Sequence, residues 1–372
     1  MPSSTATPAS DRITRRARSR VSMLLALAGA CLAMPACAAP SGGRARGAGD
    51  DRAEAAYGRR ADVLALAAAI AESSGLDRGA VEATLAEARF IPSVQRLMQP
   101  APAGSTKNWA AYRARFVEPT RLRAGVAFLR ENERALVEAE ARFGVPAAIV
   151  VGIVGVETLY GRHMGNYRVL DALATLSLDF PATPRRDRSA FFRDELAQFL
   201  LLCREQNDDP LAVLGSYAGA MGLPQFMPSS RRKHAIDFDG DGRIDLHQSP
   251  ADAIGSVANF LVNHGWQRGM PTHHEVTVPQ ATADRAVLLL PDIVPSFTAA
   301  QFAERGAGLD AAGREHAGPL ALVELQNGDA APSYVAGTQN FYALTRYNAS
   351  SYYAMAVIEL GRTVLTVAEA AR

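Results

Sequence analysis

Apolar residues recur at helical spacing over residues 61–72 and again over 77–89, with the Ser73-Ser74-Gly75 turn between the two runs. Residues 119–142 carry the same period behind Pro119, which suits a first helical turn. They predict one long amphipathic helix, stopped by Gly144 and followed by a new start at Pro146. Further helices are predicted over 188–204, 250–265 and 352–371. From His273 the pattern shortens to β-type runs at 275–278, 286–290 and 320–325, separated by Pro, Gly, Asn and Asp. The chain therefore reads as mainly α, with a small β-rich subdomain set into it. A polar and aromatic stretch, Gln339-Asn340-Phe341-Tyr342 and Arg346-Tyr347-Asn348, leads back into helix. No internal repeat is evident, which disfavours a solenoid.

One predicted helix breaks the amphipathic rule. Residues 146–161 are apolar on every side, the pattern of a helix buried in the domain, and Glu157 is the only ionisable group before its final turn closes on Tyr160-Gly161. Burial and the negative end of the helix dipole both disfavour a carboxylate there, so its pKa is expected above the ordinary value of about 4.3. A carboxyl group held neutral is a proton donor. The structural alternative is a buried glutamate neutralised by Arg162 or Arg168.

Composition narrows the partners. The 372 residues are 48% hydrophobic and 21% charged, and 39 Lys and Arg balance 38 Asp and Glu. No long-range field points to nucleic acid or an anionic surface. Arginines at 12, 15, 16, 18 and 20 precede a short apolar run and the small residues Ala36-Cys37-Ala38-Ala39, which reads as an export signal; the run is too short to span a bilayer comfortably. Two readings of its processing are open: peptidase cleavage near Ala38, or a lipoprotein signal with Cys37 or Cys31 acylated and the protein held at the outer membrane. Cys203 lies in an apolar stretch and reads as core.

Three segments occur in order: Val154-Gly-Val-Glu157-Thr-Leu-Tyr160-Gly161-Arg162, then Leu170-Asp-Ala-Leu-Ala-Thr-Leu-Ser177, then Gly215-Ser216-Tyr-Ala-Gly-Ala-Met-Gly222-Leu-Pro-Gln225-Phe226-Met-Pro-Ser-Ser230. From about residue 60 onward the chain resembles the membrane-bound lytic murein transglycosylase B family. The resemblance implies a lysozyme-like helical core, peptidoglycan glycan strands as substrate, and no catalytic cofactor. It implies that Glu157 acts first as acid and then as base, while the muramyl C6 hydroxyl closes a 1,6-anhydro ring. A second carboxylate, for which Asp171 or Asp179 would be the candidates, is not required, because the 2-acetamido group of the substrate assists. Ser216 and Asn348 match positions that orient that group. Gln225, Phe226, Tyr112, Tyr347 and Tyr353 match glycan contacts, and Arg185 and Arg186 a pair that meets peptide or lactyl carboxylates. Phe260 stands where a cleft tyrosine is expected, and Leu223-Pro224 where Tyr-Gly is usual.

Asp237, Asp239, Asp241, Gly242, Arg243, Ile244 and Asp245 follow the first nine positions of an EF-hand loop, with Arg243 at the seventh, which supplies a backbone carbonyl. The twelfth position is Gln248 instead of Glu, so Asp252 is the candidate to close the loop over a structural calcium ion. The expected layout is an export signal to residue 37, a linker over 38–58, a helical domain over 59–142, a catalytic core over 143–271 containing the 237–252 loop, a β-rich subdomain over 272–338, and a return to the core over 339–372. Cell-wall synthesis or remodelling proteins are the expected further partners. Two readings from other classes stay open: an inactive peptidoglycan-binding or scaffold protein, and a calcium-regulated adhesion module.

Overall fold

The computed structural model describes residues 56–99, 107–181 and 187–371. The export signal with Cys31 and Cys37, and the pair Arg185-Arg186, lie outside the described residues. Three short helices come first: α1 (Ala61–Ser74), α2 (Arg78–Ala86) and α3 (Pro92–Leu97). Gly75 ends α1 in the left-handed region at φ 68°, and the Asp77 carboxylate caps α2 by accepting from Ala80 N at 2.8 Å. After α4 (Trp109–Ala114) the predicted helix over 119–142 proves to be two, α5 (Pro119–Glu131) and α6 (Glu133–Phe143). Asn132 makes the break: its main-chain and side-chain nitrogens both donate to Phe128 O, at 3.1 and 2.9 Å, and close the first helix.

The buried helix α7 (Ala147–Thr158) follows, then β1 (Tyr167–Arg168), α8 (Val169–Leu178), α9 (Ser189–Gln206), β2 (Leu214–Gly215), α10 (Pro228–His234) and α11 (Pro250–Asn263). The β-rich part contains β3 (His273–Thr277), α12 (Thr282–Leu289), α13 (Ala299–Glu304), β4 (Gly308–Leu309), α14 (Ala311–Arg314), β5 (Ala321–Asn327) and β6 (Ala330–Gly337). Its antiparallel sheet has the order β4-β3-β6-β5, with Leu322 opposite Ala336 and Val323 opposite Val335. The run over 286–290, read as a strand, belongs largely to α12. Leu288 is its buried residue and packs with Phe302 and Leu320, so a single inward face was enough. The last two helices are α15 (Gln339–Tyr347) and α16 (Ser351–Ala370).

Two cores hold the helical part. Leu66 and Ile70 of α1, Leu85 of α2 and Val94 of α3 pack with Leu173 of α8 and Phe199 of α9. Phe128 of α5 and Leu136 of α6 join Val154 of α7, Val257 of α11 and Val357 of α16 in the other. The 59–142 segment thus contributes to both cores and has no separate one. Among the described residues, no single helix is long and apolar enough to cross a membrane.

Helices α7 and α16 cross in close contact. A Cβ added to Gly152 would run into the Val357 carbonyl, and one added to Gly361 would run into the Ala148 carbonyl. Neither obstacle is a flexible side-chain end, so the helices themselves would have to part. Gly152→Ala and Gly361→Ala are each expected to cost about 1–3 kcal/mol, the range for overpacking a filled core. Chemical denaturation would measure this, and wild-type stability in both variants would contradict the close crossing.

Candidate active site

Helix α7 ends abruptly beside its only acid. Leu159, Tyr160 and Gly161 take successive left-handed conformations (φ 51°, 56° and 87°), which turn the chain out of the helix at some conformational cost for the first two. Thr158 holds this turn. Its hydroxyl accepts from Gly161 N at 3.0 Å and lies 3.0 Å from Leu223 O, tying the end of α7 to the loop that carries Gln225. Glu157 therefore faces a cleft between that loop and the last helices.

The hydroxyl of Tyr353, at the start of α16, donates to Glu157 Oε1 at 2.6 Å. Burial pushes the Glu157 carboxyl up to about 7, and the Tyr353 hydrogen bond opposes that rise in part. Neither candidate arginine takes the neutralising role: Arg162 is exposed, and Arg168 is bound to Asp171 at 2.6 Å. Tyr353 is completely buried, so it sits behind the acid and not against a sugar. Tyr112, half-buried, packs on Phe116 and Tyr352 at ring distances of 5.2 and 5.8 Å. Burial first, and the nearby Glu157 charge second, push its hydroxyl up to about 12.

Glu157, Gln225, Phe226, Phe260, Tyr347 and Asn348 line one cavity of about 330 Å³. Phe226, Phe260 and Tyr347 form an aromatic wall, with ring centroids 4.8 to 5.8 Å apart, and Tyr347 OH is fixed by donating to Pro224 O at 2.6 Å. Gln225 is left-handed at φ 49°. Its amide nitrogen is spent on Gly222 O (2.8 Å) and Met164 O (3.1 Å), so its amide oxygen is the group left to meet a ligand. Ser216 is near but outside this lining; its hydroxyl accepts from Ala220 N at 3.0 Å and shapes the turn that brings Ala218 and Ala220 to the wall.

The sequence reading missed Lys233, His234, His264, Arg346 and Glu195, all of which line the same cavity. His264 stacks on Phe260 at 4.0 Å and its Nδ1 lies 2.7 Å from Phe260 O. Glu195 is buried, and Ser229 donates to its two oxygens from the backbone N (2.9 Å) and the hydroxyl (2.6 Å). Asp171 is engaged by Arg168 and Arg89 N, and Asp179 accepts from Tyr57 OH at 2.6 Å; neither lines the cleft. Glu157 is thus the cleft carboxylate with an oxygen not already committed. A larger hollow of about 670 Å³ lies between residues 205–214 and 242–248, with neither Glu157 nor a Phe, Tyr or Trp ring in its walls.

The acidic loop gathers carboxylate oxygens of Asp237, Asp239 and Asp252 within 4.8 Å of one another. Asp252 comes from the first turn of α11 and is buried; it accepts from Phe238 N (2.7 Å) and Asp245 N (2.8 Å). Asp241 lies outside this trio and accepts from Arg243 N at 2.8 Å. The hydrogen bonds to the three come from backbone N–H groups and the Ser249 hydroxyl, none from Lys or Arg. A set of oxygen donors carrying uncompensated charge fits a hard divalent cation.

The family profile of the transglycosylase SLT domain matches residues 59–362. The chain is 41% identical over 300 residues to membrane-bound lytic murein transglycosylase B of Escherichia coli (strain K12), covering 78% of this chain and 79% of that protein. Among solved structures, the Escherichia coli lytic transglycosylase Slt35 in complex with bulgecin A superposes with a TM-score of 0.74 at 39% identity, covering 85% of this chain and 97% of that one. Slt35 in complex with calcium gives 0.73 at the same identity and coverage.

A carboxyl whose pKa lies near 7 when folded, against 4.5 ordinarily, binds more protons folded than unfolded between those values. Its contribution is therefore destabilising as pH rises through that window. Glu157→Gln is expected to keep its fold below about pH 5 and to gain stability above pH 7, on the order of 1–3 kcal/mol. Denaturation curves at the two pH values test this, and an equal ΔG difference at both would contradict it. Tyr353→Phe removes the hydrogen bond that holds the pKa down, so the pH at which Glu157 loses its proton should move upward; a pH–rate profile that stays in place would contradict the assignment.

Proposed function

The chain belongs to the lytic murein transglycosylase B family and is a peptidoglycan lytic transglycosylase, and from that premise we propose that Glu157 is its single acid/base group. The observation that carries this is a buried carboxyl in an aromatic-walled cleft, with one oxygen fixed by Tyr353, the other uncommitted, and a pKa that burial raises to about 7. A proton donor matched to ambient pH is what departure of a sugar oxygen requires.

In the proposed sequence, Glu157 protonates the oxygen linking N-acetylmuramic acid to N-acetylglucosamine as the C1–O bond breaks. The resulting carboxylate then takes the proton of the muramyl C6 hydroxyl while O6 bonds to C1. Water is neither added nor lost, and Glu157 is restored. Asn348, buried in the cleft wall, and Ser216 beside it are assigned to orient the 2-acetamido group. The aromatic wall covers the apolar face of the sugar, and the Gln225 amide oxygen accepts from its hydroxyls. Tyr353 acts through Glu157 and is a positioning residue.

Calcium is proposed as a structural ion, held by Asp237, Asp239 and Asp252, with the Arg243 carbonyl and Asp241 completing the loop. The donor chemistry supports this, and a related structure contains calcium. The ion would brace the start of α11, which carries Phe260 and His264 into the cleft. Export, with an anchor on Cys37 or Cys31, rests on the arginine-led apolar segment and the membrane-bound relative. The mass of the mature N-terminus distinguishes an acylated cysteine from cleavage near Ala38.

Muropeptides released from purified sacculi are expected to end in 1,6-anhydromuramic acid, and Glu157→Gln should release none. Reducing, hydrated ends would replace the ring closure with hydrolysis, and no release by the wild type would favour a binding protein. Chelation is expected to lower the Tm without changing product identity; a Tm indifferent to chelator and to added calcium would remove the ion from the account.

A further inference from the structure

Two carboxyl side chains line the cleft, and the proposed reaction uses one of them. The other belongs to Glu195, in the second turn of α9 and 3% exposed. Burial raises its pKa, while the hydrogen bonds from Ser229 and, after them, the charge of Lys233 oppose the rise. An enclosed acid without a close ion pair costs free energy that a neutral side chain would avoid. What Glu195 gains in return comes from a single residue, Ser229, whose backbone N and hydroxyl donate to its two oxygens at 2.9 and 2.6 Å.

Ser229 lies in the first turn of α10, which begins directly after the segment that carries Gln225 and Phe226 into the cleft. Met227, the residue that caps α10, makes no side-chain hydrogen bond to that turn, and Glu195 supplies the acceptor from α9 instead. Gln225 needs such support. Its backbone is left-handed at φ 49°, a conformation that a residue with a side chain keeps where its surroundings impose it. Upstream, the Thr158 hydroxyl lies 3.0 Å from Leu223 O, and Tyr347 OH donates to Pro224 O at 2.6 Å. Met221 and Phe226 exchange backbone hydrogen bonds of 2.9 and 3.1 Å. Downstream the side-chain anchor is Glu195. Three helices distant in sequence, α7, α15 and α9, thus clamp residues 223–229 from both ends.

We propose that Glu195 is a positioning residue of the transglycosylation site: through Ser229 it fixes the start of α10, and thereby holds the Gln225 amide oxygen and the Phe226 ring in the orientation that grips the glycan. The inference rests on the transglycosylase reading and deepens it by naming a group that sets substrate affinity from behind the wall. Glu195 itself has both oxygens spent on Ser229 and acts through the loop. Its loss therefore falls on sugar binding, in ground state and transition state alike, more than on proton transfer by Glu157.

The test uses the full chain and soluble, uncrosslinked glycan strands, with 1,6-anhydromuramyl ends counted by mass spectrometry. Glu195→Ala is expected to raise KM about ten-fold while kcat changes far less. A structural role alone would lower the Tm and leave the KM of the folded protein in place. Glu195→Gln can accept from Ser229 N and donate to the Ser229 hydroxyl, so its KM should stay within about two-fold of wild type. Glu195→Asp keeps the charge but falls a methylene short and should not rescue. Gln225→Asn tolerates the left-handed backbone and withdraws the amide, and is expected to raise KM about ten-fold as well. Combined with Glu195→Ala it should add little, because both act through one contact; independent residues would give a product of about a hundred-fold. A wild-type KM in Glu195→Ala, the full product in the double variant, or rescue by Asp and not by Gln overturns the proposal. Should Glu195→Ala fail to fold, Ser229→Ala removes one of the two bonds and is expected to raise KM about three-fold; a wild-type KM there overturns the proposal equally. Failure of the wild type to form anhydromuramyl ends would instead overturn the reading beneath it.

Discussion

The site depends on how closely two helices approach. Gly152 and Gly361 leave no side chain between α7 and α16, so the backbone of each meets the other, and this proximity lets Tyr353 reach Glu157 from 196 residues away. The fully apolar surface of α7 then acts twice. It drives burial of the helix, since each enclosed Val or Ile contributes roughly 1.5–3 kcal/mol, and it removes water from the one carboxyl at its end. Stability and acidity come from the same apolar surroundings.

The other elements position what meets that carboxyl. The left-handed exit through Leu159, Tyr160 and Gly161 stops α7 just past the acid, and Thr158 ties the exit to the Gln225 loop. The acidic loop leads into α11, which carries Phe260 and His264 to the wall. The result is a cleft with one uncommitted acid and an aromatic side.

Sequence pattern carried α7 clearly, because a helix with no polar face and a single acid admits few readings. The helical class, the motif segments and the Asp252 closure of the acidic loop were legible for similar reasons: each is a local pattern or a fixed spacing. The break at Asn132 was not, because apolar spacing continues in phase across it and only the capping of Phe128 O divides the helices. Residues 286–290 misled because five consecutive apolar or small residues fit either a strand or one inward helix face. Lys233, His264 and Arg346 look ordinary in sequence; they acquire meaning when three distant elements bring them to one cavity. Tyr353 was noticed for its type, yet its place behind the acid follows from tertiary packing alone.

The span between Glu157 and Tyr353 also sets an order in time. During synthesis the acid is made first, and the helix that orients it emerges only after the β-rich segment has been threaded between them. A nascent or interrupted chain holds a glutamate without its tether and a cleft without the Tyr347 and Asn348 wall. The cavity around the buried acid is therefore assembled last, when α15 and α16 pack back against α7, although the acid itself lies in the first half of the chain.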